Sequence, residues 1–400
     1  MTRSGVEVAR IFRRHGPAYR RWHPLPLHQR RLMSAIEHCR TAALGGHRDG
    51  CSNCGLTRVS YNSCRNRHCP KCQAGQREKW VEARRKDLVP VSYYHVVFTL
   101  PEGAAEIAFH NPVTVYGILF NACRQTLMTI GADPKHLGAE LGFFAILHTW
   151  GQNLLFHPHL HCVVPGGGLA GGRTRWVDCK PGFFLPVRVL SRLFRRLFVE
   201  QIEEAFQRGA IRFPVNGTQE GLNGAKEFQR RLGQLRGVEW VVYAKPPFGG
   251  PERVLEYLGR YTHRVAISNN RLLESDEGEV RFRWRDYSRG NKKRVMTVSS
   301  EEFIRRFLLH TLPAGFQRIR HYGWLASSGK KERVRLCLEL IARAGNPAGL
   351  LPTGPVTARQ RRENPGVPAS HVCPRCGQGI MVPVEKVPVV RCIRSLGDTS

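Results

Sequence analysis

The sequence predicts an α+β fold, in which a largely antiparallel sheet with flanking helices is preceded by a small cysteine-rich domain. Short β-rich runs that end at proline or glycine alternate with helical patterns through the middle of the chain. These runs are Tyr93–Leu100, Phe143–Trp150, His159–Val164 and Val238–Ala244. Further along, Arg264–Leu273, Val280–Tyr287 and Lys293–Val298 alternate like hairpin strands. Many strands joined by hairpins, with helices between them, are typical of this fold class.

Composition divides the 400 residues into three regions. The first holds six of the thirteen cysteines, the second has the mixed strand and helix patterns, and the third is rich in Arg, Pro and Gly. We therefore expect domains at 1–90, 91–325 and 326–400.

The chain is strongly basic, since 62 Lys and Arg residues against 31 Asp and Glu residues give a net charge of +31. This charge predicts a polyanionic partner, and the phosphate backbone of nucleic acid fits best. An anionic membrane surface is the alternative, but no apolar run is long enough to span a bilayer. The start of the chain lacks the apolar core of a secretory signal, so we expect a cytoplasmic bacterial protein that is nucleoid-associated when acting. Clustered cysteines in a reducing compartment indicate metal rather than disulfides.

Three histidines stand close together at His157, His159 and His161. On a strand, side chains two residues apart share a face, so His159 and His161 point the same way and form a clamp for a divalent metal. His157 has the same parity and is the candidate third ligand, although Pro158 disturbs the pairing there. Gln152 and His148 are weaker candidates. The alternative is a sheet face that carries histidines by chance, and histidine clusters also serve cupin-like oxygenases and hydrolases.

A second segment places two tyrosines four residues apart, at Tyr257 and Tyr261, where a helix would stack them on one face. Arg260, His263 and Arg264 put positive charge beside the phenols, which favours phenolate and holds phosphate. Gly259 inside a helix costs roughly 1 kcal/mol relative to alanine, which suggests close approach by another group. The alternative is a pair of ordinary core or surface aromatics.

Cysteine pairs with two residues between them occur at Cys51 and Cys54 and at Cys69 and Cys72, a spacing close to that of zinc ribbons. Four thiolates around one zinc ion form the simplest site. A second, interleaved site would use Cys39, His47, Cys64 and His68, which otherwise are bystanders. A further pair near the C-terminus, Cys373 and Cys376, has Cys392 as a candidate third ligand. Because many arginines lie among the N-terminal cysteines, this domain is a candidate DNA-binding domain.

One predicted strand alternates arginines with aromatic residues, so that Arg281, Arg283 and Arg285 share a face. Three arginines on one face of a strand are suited to binding successive phosphates of a nucleic-acid backbone. An ordinary exposed sheet face is an equal alternative.

At this point the chain resembles a known family. A His-hydrophobic-His strand followed about a hundred residues later by Tyr-X3-Tyr is similar to the HUH single-strand endonucleases. The strings QNLLFHPHLHCVVP (152–165) and YLGRYTHRVAISNNR (257–271) resemble the two-tyrosine transposases of rolling-circle insertion sequences, the insertion-sequence ninety-one family. The stretch from Cys64 to Cys72 resembles the end of their N-terminal zinc-binding domain, and the resemblance extends from about residue 40 to about residue 326.

That resemblance implies an HUH-like sheet, a divalent ion (Mg²⁺ or Mn²⁺) on His159 and His161, and Tyr257 and Tyr261 as nucleophiles. It also implies a 5′-phosphotyrosine intermediate, structural Zn²⁺ in the N-terminal domain, and single-stranded transposon ends with hairpins as the substrate. The predicted function is therefore a DNA transposase. A replication initiator or relaxase of the same chemistry, a non-catalytic zinc-finger regulator and a metal-independent tyrosine recombinase are the alternatives.

Overall fold

The computed structural model of the chain describes residues 6–182, 184–213, 224–248, 259, 265–273, 278–286, 290–344 and 372–390. The helices are, in chain order, α1 (Val8–Trp22), α2 (Leu27–Glu37), α3 (Gln73–Arg85), α4 (Glu102–His110), α5 (Pro112–Ala132), α6 (Val187–Gln207), α7 (Ala225–Gly237), α8 (Ser300–Leu309) and α9 (Lys330–Arg343). The strands are β1 (Gly46–Cys51), β2 (Thr57–Tyr61), β3 (Tyr93–Thr99), β4 (Ala139–Glu140), β5 (Gly142–Trp150), β6 (Phe156–Pro165), β7 (Gly167–Ala170), β8 (Trp176–Asp178), β9 (Val242–Phe248), β10 (Leu272–Leu273), β11 (Glu279–Asp286), β12 (Lys292–Ser299), β13 (Ile319–Gly323) and β14 (Met381–Val387). Helices with antiparallel sheets confirm the predicted α+β class.

The chain forms two compact units, and each is discontinuous in sequence. The first comprises Met1–Gln76, Ile267–Leu308 and Pro352–Ser400, and the second comprises Arg77–Ala266 and Leu309–Leu351. Within each unit, segments that are far apart in sequence come together, and the domain bounds expected from composition stay a prediction.

The second unit is built on a five-stranded sheet of order β13-β5-β6-β3-β9, in which every neighbouring pair is antiparallel. Leu160, Cys162 and Val164 of β6 point to one face, where they join a hydrophobic core formed with α4, α5, α6 and α7. Helix α5 suits this layer because Pro112 opens it at a position that needs no N–H donor and because its apolar side chains recur at helical spacing.

The opposite face of the same sheet has a smaller apolar cluster at one end. Phe144, Ile146 and Val163 pack there with Trp324 and with Val334 and Cys337 of α9. Trp80 and Val81 of α3 also pack against this cluster. The strand ends that this cluster leaves uncovered carry the histidines.

The first unit holds two three-stranded sheets, of order β14-β1-β2 and β10-β11-β12. The second of these confirms the predicted strands Val280–Tyr287 and Lys293–Val298 as a hairpin, whereas only Leu272–Leu273 of the predicted strand Arg264–Leu273 forms a strand among the described residues. Helix α8 begins after Ser299, whose hydroxyl accepts the Glu302 N–H at 3.1 Å, which agrees with the predicted helix start. Phe307 of α8 packs edge-on against Phe12 of α1 with ring centroids 5.2 Å apart, which joins the helices of this unit.

Candidate functional site

Three histidine side chains meet on the second face of the central sheet. His159 and His161 lie two residues apart on β6, and their Nε2 atoms are 3.0 Å from each other. His148 of β5 stands directly opposite His159 in the antiparallel register. One nitrogen from each of the three rings lies within 4.8 Å of the other two. His148 and His161 are buried and His159 is half-buried, so the cluster opens to solvent at His159.

The third ring that meets this pair is that of His148, whereas His157, the predicted third ligand, is not part of the cluster; the identity of the metal ligands stays a prediction. His157 is exposed, and its backbone carbonyl accepts a hydrogen bond from Nδ1 of His159 at 2.7 Å. This bond fixes the tautomer of His159, because the proton on Nδ1 leaves the lone pair on Nε2, the atom that faces His161. His157 therefore contributes to the site as a hydrogen-bond acceptor for His159, through its backbone carbonyl rather than through its imidazole ring.

The loop between β5 and β6 sets the register that brings His148 to the pair. Leu154 in this loop is buried and has a left-handed backbone with φ of 63°, and Nε2 of His310 donates to its carbonyl at 3.1 Å. Burial lowers the pKa of His310 to about 4, so the ring is neutral at neutral pH. A buried neutral histidine thus holds the turn from which both histidine-bearing strands diverge.

A fourth histidine, which the sequence reasoning missed, supports the cluster from β3. Nε2 of His95 lies 2.7 Å from Nδ1 of His161, and the two rings are nearly parallel at 10°. Burial, together with the charges of Lys245 and His159, lowers the pKa of His95 to about 3, so this ring is neutral. When His161 donates from Nδ1 to His95, its own Nε2 lone pair is directed at the cluster. Hydrogen bonds of this kind orient the ligands of metal sites.

The donor set fits a small divalent cation. Adjacent ligands in an octahedral shell of radius about 2.1 Å lie about 3 Å apart, which matches the separation of the two Nε2 atoms on β6. Three imidazoles would occupy only part of such a shell, so the cluster has the chemistry of a metal-binding site that is open to further ligands.

The predicted tyrosine segment is described only at Gly259. Tyr257, Tyr261, Arg260, His263 and Arg264 lie outside the described residues. Gly259 itself is helical, and a Cβ atom there would stand 2.9 Å from Cγ2 of Val81. The prediction that Gly259 permits a close approach is confirmed. Its neighbour Val81 belongs to the apolar cluster on the histidine face of the sheet.

Eight cysteines form two clusters of four, and they are grouped differently from the prediction. The first cluster contains Cys39, Cys64, Cys69 and Cys72, and the second contains Cys51, Cys54, Cys373 and Cys376. The two N-terminal pairs, Cys51 with Cys54 and Cys69 with Cys72, thus belong to different clusters and not to one shared site. Neither cluster includes His47 or His68. Cys392 lies outside the described residues.

The sulfur positions of both clusters suit zinc. Sγ of Cys72 lies 3.5 Å from that of Cys39 and 3.6 Å from that of Cys64. Four thiolates at a zinc–sulfur distance of about 2.3 Å form a tetrahedron whose edges are about 3.8 Å. In the second cluster, the N–H groups of Gly379 and Gln378 lower the pKa of the Cys376 thiol to about 6, which favours the thiolate that zinc binds.

The arginine strand has the predicted alternation. Arg281, Arg283 and Arg285 of β11 are exposed, whereas Val280 and Phe282 at alternate positions are buried. On β12, Lys293 stands directly opposite Arg285. Like charges facing each other across a sheet are destabilising unless an anion lies between them, so this face is suited to phosphate.

Two family models match the chain. One, described as "Putative transposase", matches residues 142–333, and the other, described as "Transposase zinc-binding domain", matches residues 11–100. The putative transposase y4qJ of Sinorhizobium fredii (strain NBRC 101917 / NGR234) is 57% identical over 386 residues, which is 96% of each chain. The chain belongs to the two-tyrosine transposases of the insertion-sequence ninety-one family.

A more distant relative of this transposase is the transposase for insertion sequence element IS801 of Pseudomonas savastanoi pv. phaseolicola. It is 25% identical over 293 residues, which is 72% of this chain and 68% of that protein. No solved structure matches the transposase. No helix among the described residues is long and apolar enough to cross a membrane.

The family matches coincide with the clusters. His148, His159 and His161 lie within residues 142–333, and the cluster of Cys39, Cys64, Cys69 and Cys72 lies wholly within the zinc-binding match. This agreement supports structural Zn²⁺ in the N-terminal part of the transposase. Because the relatives are transposases, the match also favours that function over the initiator, relaxase and regulator alternatives.

Proposed function

We propose that this transposase cuts and rejoins single-stranded DNA as an HUH-type endonuclease, with Tyr257 and Tyr261 as nucleophiles. The observation that carries the proposal is the convergence of His148, His159 and His161 on one sheet face, in a cluster that opens to solvent at His159. The packing of Gly259 against Val81 supports it, because Gly259 lies midway between the two tyrosines and Val81 belongs to the cluster on that same face.

The proposed reaction exchanges one phosphodiester bond for another. A tyrosine oxygen attacks the scissile phosphorus in line, so that a P–O(Tyr) bond forms while the P–O3′ bond breaks. The phenol gives up its proton, and the leaving 3′ oxygen takes one up to become a 3′-hydroxyl. The product is a 5′-phosphotyrosine, and attack by a 3′-hydroxyl on that linkage rejoins a strand.

The histidine cluster has a defined part in this reaction. His148, His159 and His161 would hold a divalent ion, Mg²⁺ or Mn²⁺, which would supply Lewis-acid stabilisation of the charge that develops on the phosphoryl group. His148 and His161 are buried within a rigid sheet, so the ligand nitrogens are held in position before substrate arrives. His95 orients His161 through the bond between its Nε2 and Nδ1 of His161.

The DNA partner follows from charge. The net charge of +31 suits a long phosphate backbone. Arg281, Arg283 and Arg285 offer a row of exposed cations on one strand, and Lys293 extends it. We assign this face to the backbone of the substrate, which we take to be single-stranded transposon ends that carry hairpins.

The direct test uses the full chain and single-stranded oligonucleotides tiled across the DNA on both sides of the gene, with Mg²⁺ or Mn²⁺. We expect the 3′-labelled fragment to migrate with the protein on a denaturing gel. The 5′-labelled fragment should be released with a 3′-hydroxyl that a polymerase can extend. Attachment of the 5′-labelled fragment instead, or equal cleavage in EDTA, would overturn the proposal.

A further inference from the structure

We propose that Cys51, Cys54, Cys373 and Cys376 bind one zinc ion that fastens the C-terminal segment 372–390 to the N-terminal part of the transposase. The zinc-binding family match, residues 11–100, includes Cys51 and Cys54, but neither that match nor the one at residues 142–333 includes Cys373 or Cys376. The transposase would then carry two structural zinc ions rather than one.

The sulfur geometry fits a single tetrahedral ion. Sγ of Cys51 lies 3.8 Å from that of Cys376, and Sγ of Cys54 lies 3.6 Å from that of Cys373. All four sulfurs lie within 4.8 Å of one another. The edge of a zinc–thiolate tetrahedron is about 3.8 Å, so no sulfur has to move far to coordinate the same ion.

Backbone donors stabilise the sulfurs from both segments. The N–H groups of Asn53 and Cys54 each lie 3.4 Å from Sγ of Cys51, and the N–H of Gly379 lies 3.3 Å from Sγ of Cys376. Such bonds offset the negative charge that thiolates bring to a zinc site. A Cβ at residue 379 would collide with Sγ of Cys51, so glycine there is what allows the two turns to close on each other.

The two segments are also paired outside the cysteines. Strand β14 is antiparallel to β1 from Gly46 opposite Val387 to Cys51 opposite Met381. Between the two turns, the N–H of Ser52 donates to the carbonyl of Ile380 at 3.0 Å, and the hydroxyl of Ser52 accepts the N–H of Ile380 at 3.0 Å. Met381 and Leu56 contribute apolar cover to the cluster. The zinc ligands thus lie at one end of a complete, hydrogen-bonded sheet.

The long separation in sequence between the two cysteine pairs indicates how the zinc ion would stabilise the fold. Cys54 and Cys373 are 319 residues apart. A cross-link over so long a loop removes much of the conformational freedom of the unfolded chain, and this effect grows with loop length. A three-stranded sheet needs a hydrophobic face or a packed helix for stability, and most residues of β2 and β14 are exposed, so β14 should depend on the ion for its place beside β1.

Metal content distinguishes this arrangement from the alternatives. We expect two zinc ions per chain in the purified full-length protein by inductively coupled plasma mass spectrometry. Cys373→Ser with Cys376→Ser should leave one, and Cys51→Ser with Cys54→Ser should also leave one. All four substitutions together should again leave one, because both pairs hold the same ion. Cys392→Ser is the control and should retain both.

Hydrogen exchange tests the same zinc site independently of metal content, and it also shows whether a variant still folds. In the variant with Cys373→Ser and Cys376→Ser, backbone exchange of residues 381–387 should accelerate at least tenfold, while that of the central strands β5 and β6 stays unchanged. Two zinc ions retained by this variant, further zinc loss in the fourfold variant, or unchanged exchange at 381–387 would overturn the proposal.

Discussion

At the scale of single residues, the central sheet assigns different tasks to histidines that look equivalent in the sequence. His148, His159 and His161 bring ring nitrogens together, His157 contributes a carbonyl, and His95 bonds to a ring that is itself a ligand. The difference comes from which face of the strand each ring occupies and from which strand stands opposite.

Replacement of His148 by alanine should abolish metal-dependent cleavage, because it removes one of three ligands. Affinity for Mn²⁺ should fall by more than the tenfold to hundredfold typical of a lost outer hydrogen bond. His157→Ala is the matched control, and it should change Mn²⁺ affinity little because the His157 carbonyl remains. Calorimetric titration with Mn²⁺ measures both. The opposite ranking of the two variants would restore His157 as the third ligand.

Replacement of His95 should weaken metal binding without removing a ligand. His95→Leu removes the acceptor for Nδ1 of His161, so we expect Mn²⁺ affinity to fall about tenfold to hundredfold. His95→Gln offers an amide oxygen as acceptor and should recover part of that loss. Thermal unfolding of both variants serves as the control for stability. Equal loss in both variants would indicate that His95 acts only through packing.

The shared face of His159 and His161 could be predicted from the sequence, because two residues that are two apart on one strand always point to the same side of the sheet. His148 and His95 could not be found in the same way. Their contribution depends on the register of β5 and β3 against β6, and a shift of one residue would turn both rings to the other face. The turn at Leu154 and its bond from His310 set part of that register.

At the scale of elements, the close approach of Gly259 to α3 depends on the absence of a side chain at that residue. Gly259→Ala would place a methyl group against Val81, and overpacking of this kind costs about 1–3 kcal/mol. We expect single-strand cleavage to fall at least tenfold, with Mn²⁺ affinity unchanged. Adding Val81→Ala should recover cleavage, because it makes room for the methyl group.

Gly233 provides the control for that experiment. It lies inside helix α7, and nothing stands within 4 Å of a Cβ there. Gly233→Ala should therefore leave cleavage unchanged and stabilise the helix by about 0.5–1 kcal/mol. If Gly259→Ala proved as harmless as Gly233→Ala, the packing against Val81 would have no part in catalysis.

The arginine row of β11 should appear in the salt dependence of DNA binding. Removal of Arg281, Arg283 and Arg285 by substitution with glutamine should reduce the slope of log Kd against log salt by about 2, since each single-strand phosphate contact contributes about 0.7. Substitution of Arg188, Arg192 and Arg196 on α6 changes the charge equally and is the control. Equal slopes for the two triple variants would show that only total charge matters.

At the scale of the whole molecule, segments distant in sequence determine the organisation. Residues 267–308 belong to the same unit as the N-terminal helices, and β14 pairs with β1. Composition predicted the cysteine-rich start and the basic charge, since both are local or additive. It could not predict which cysteine pairs share a cluster, because Cys54 and Cys373 meet only through the pairing of strands across 319 residues.

The proposed reaction of this transposase forms a tyrosine–DNA bond at the histidine cluster. The most direct measurement is mass spectrometry of proteolysed protein after reaction with a cleavable single strand and Mn²⁺. We predict one modified peptide, which carries a nucleotide 5′-phosphate on Tyr257 or Tyr261 and is absent when His148→Ala is used. A DNA-linked peptide elsewhere in the chain, or an adduct that persists in protein with Tyr257→Phe and Tyr261→Phe, would contradict the account.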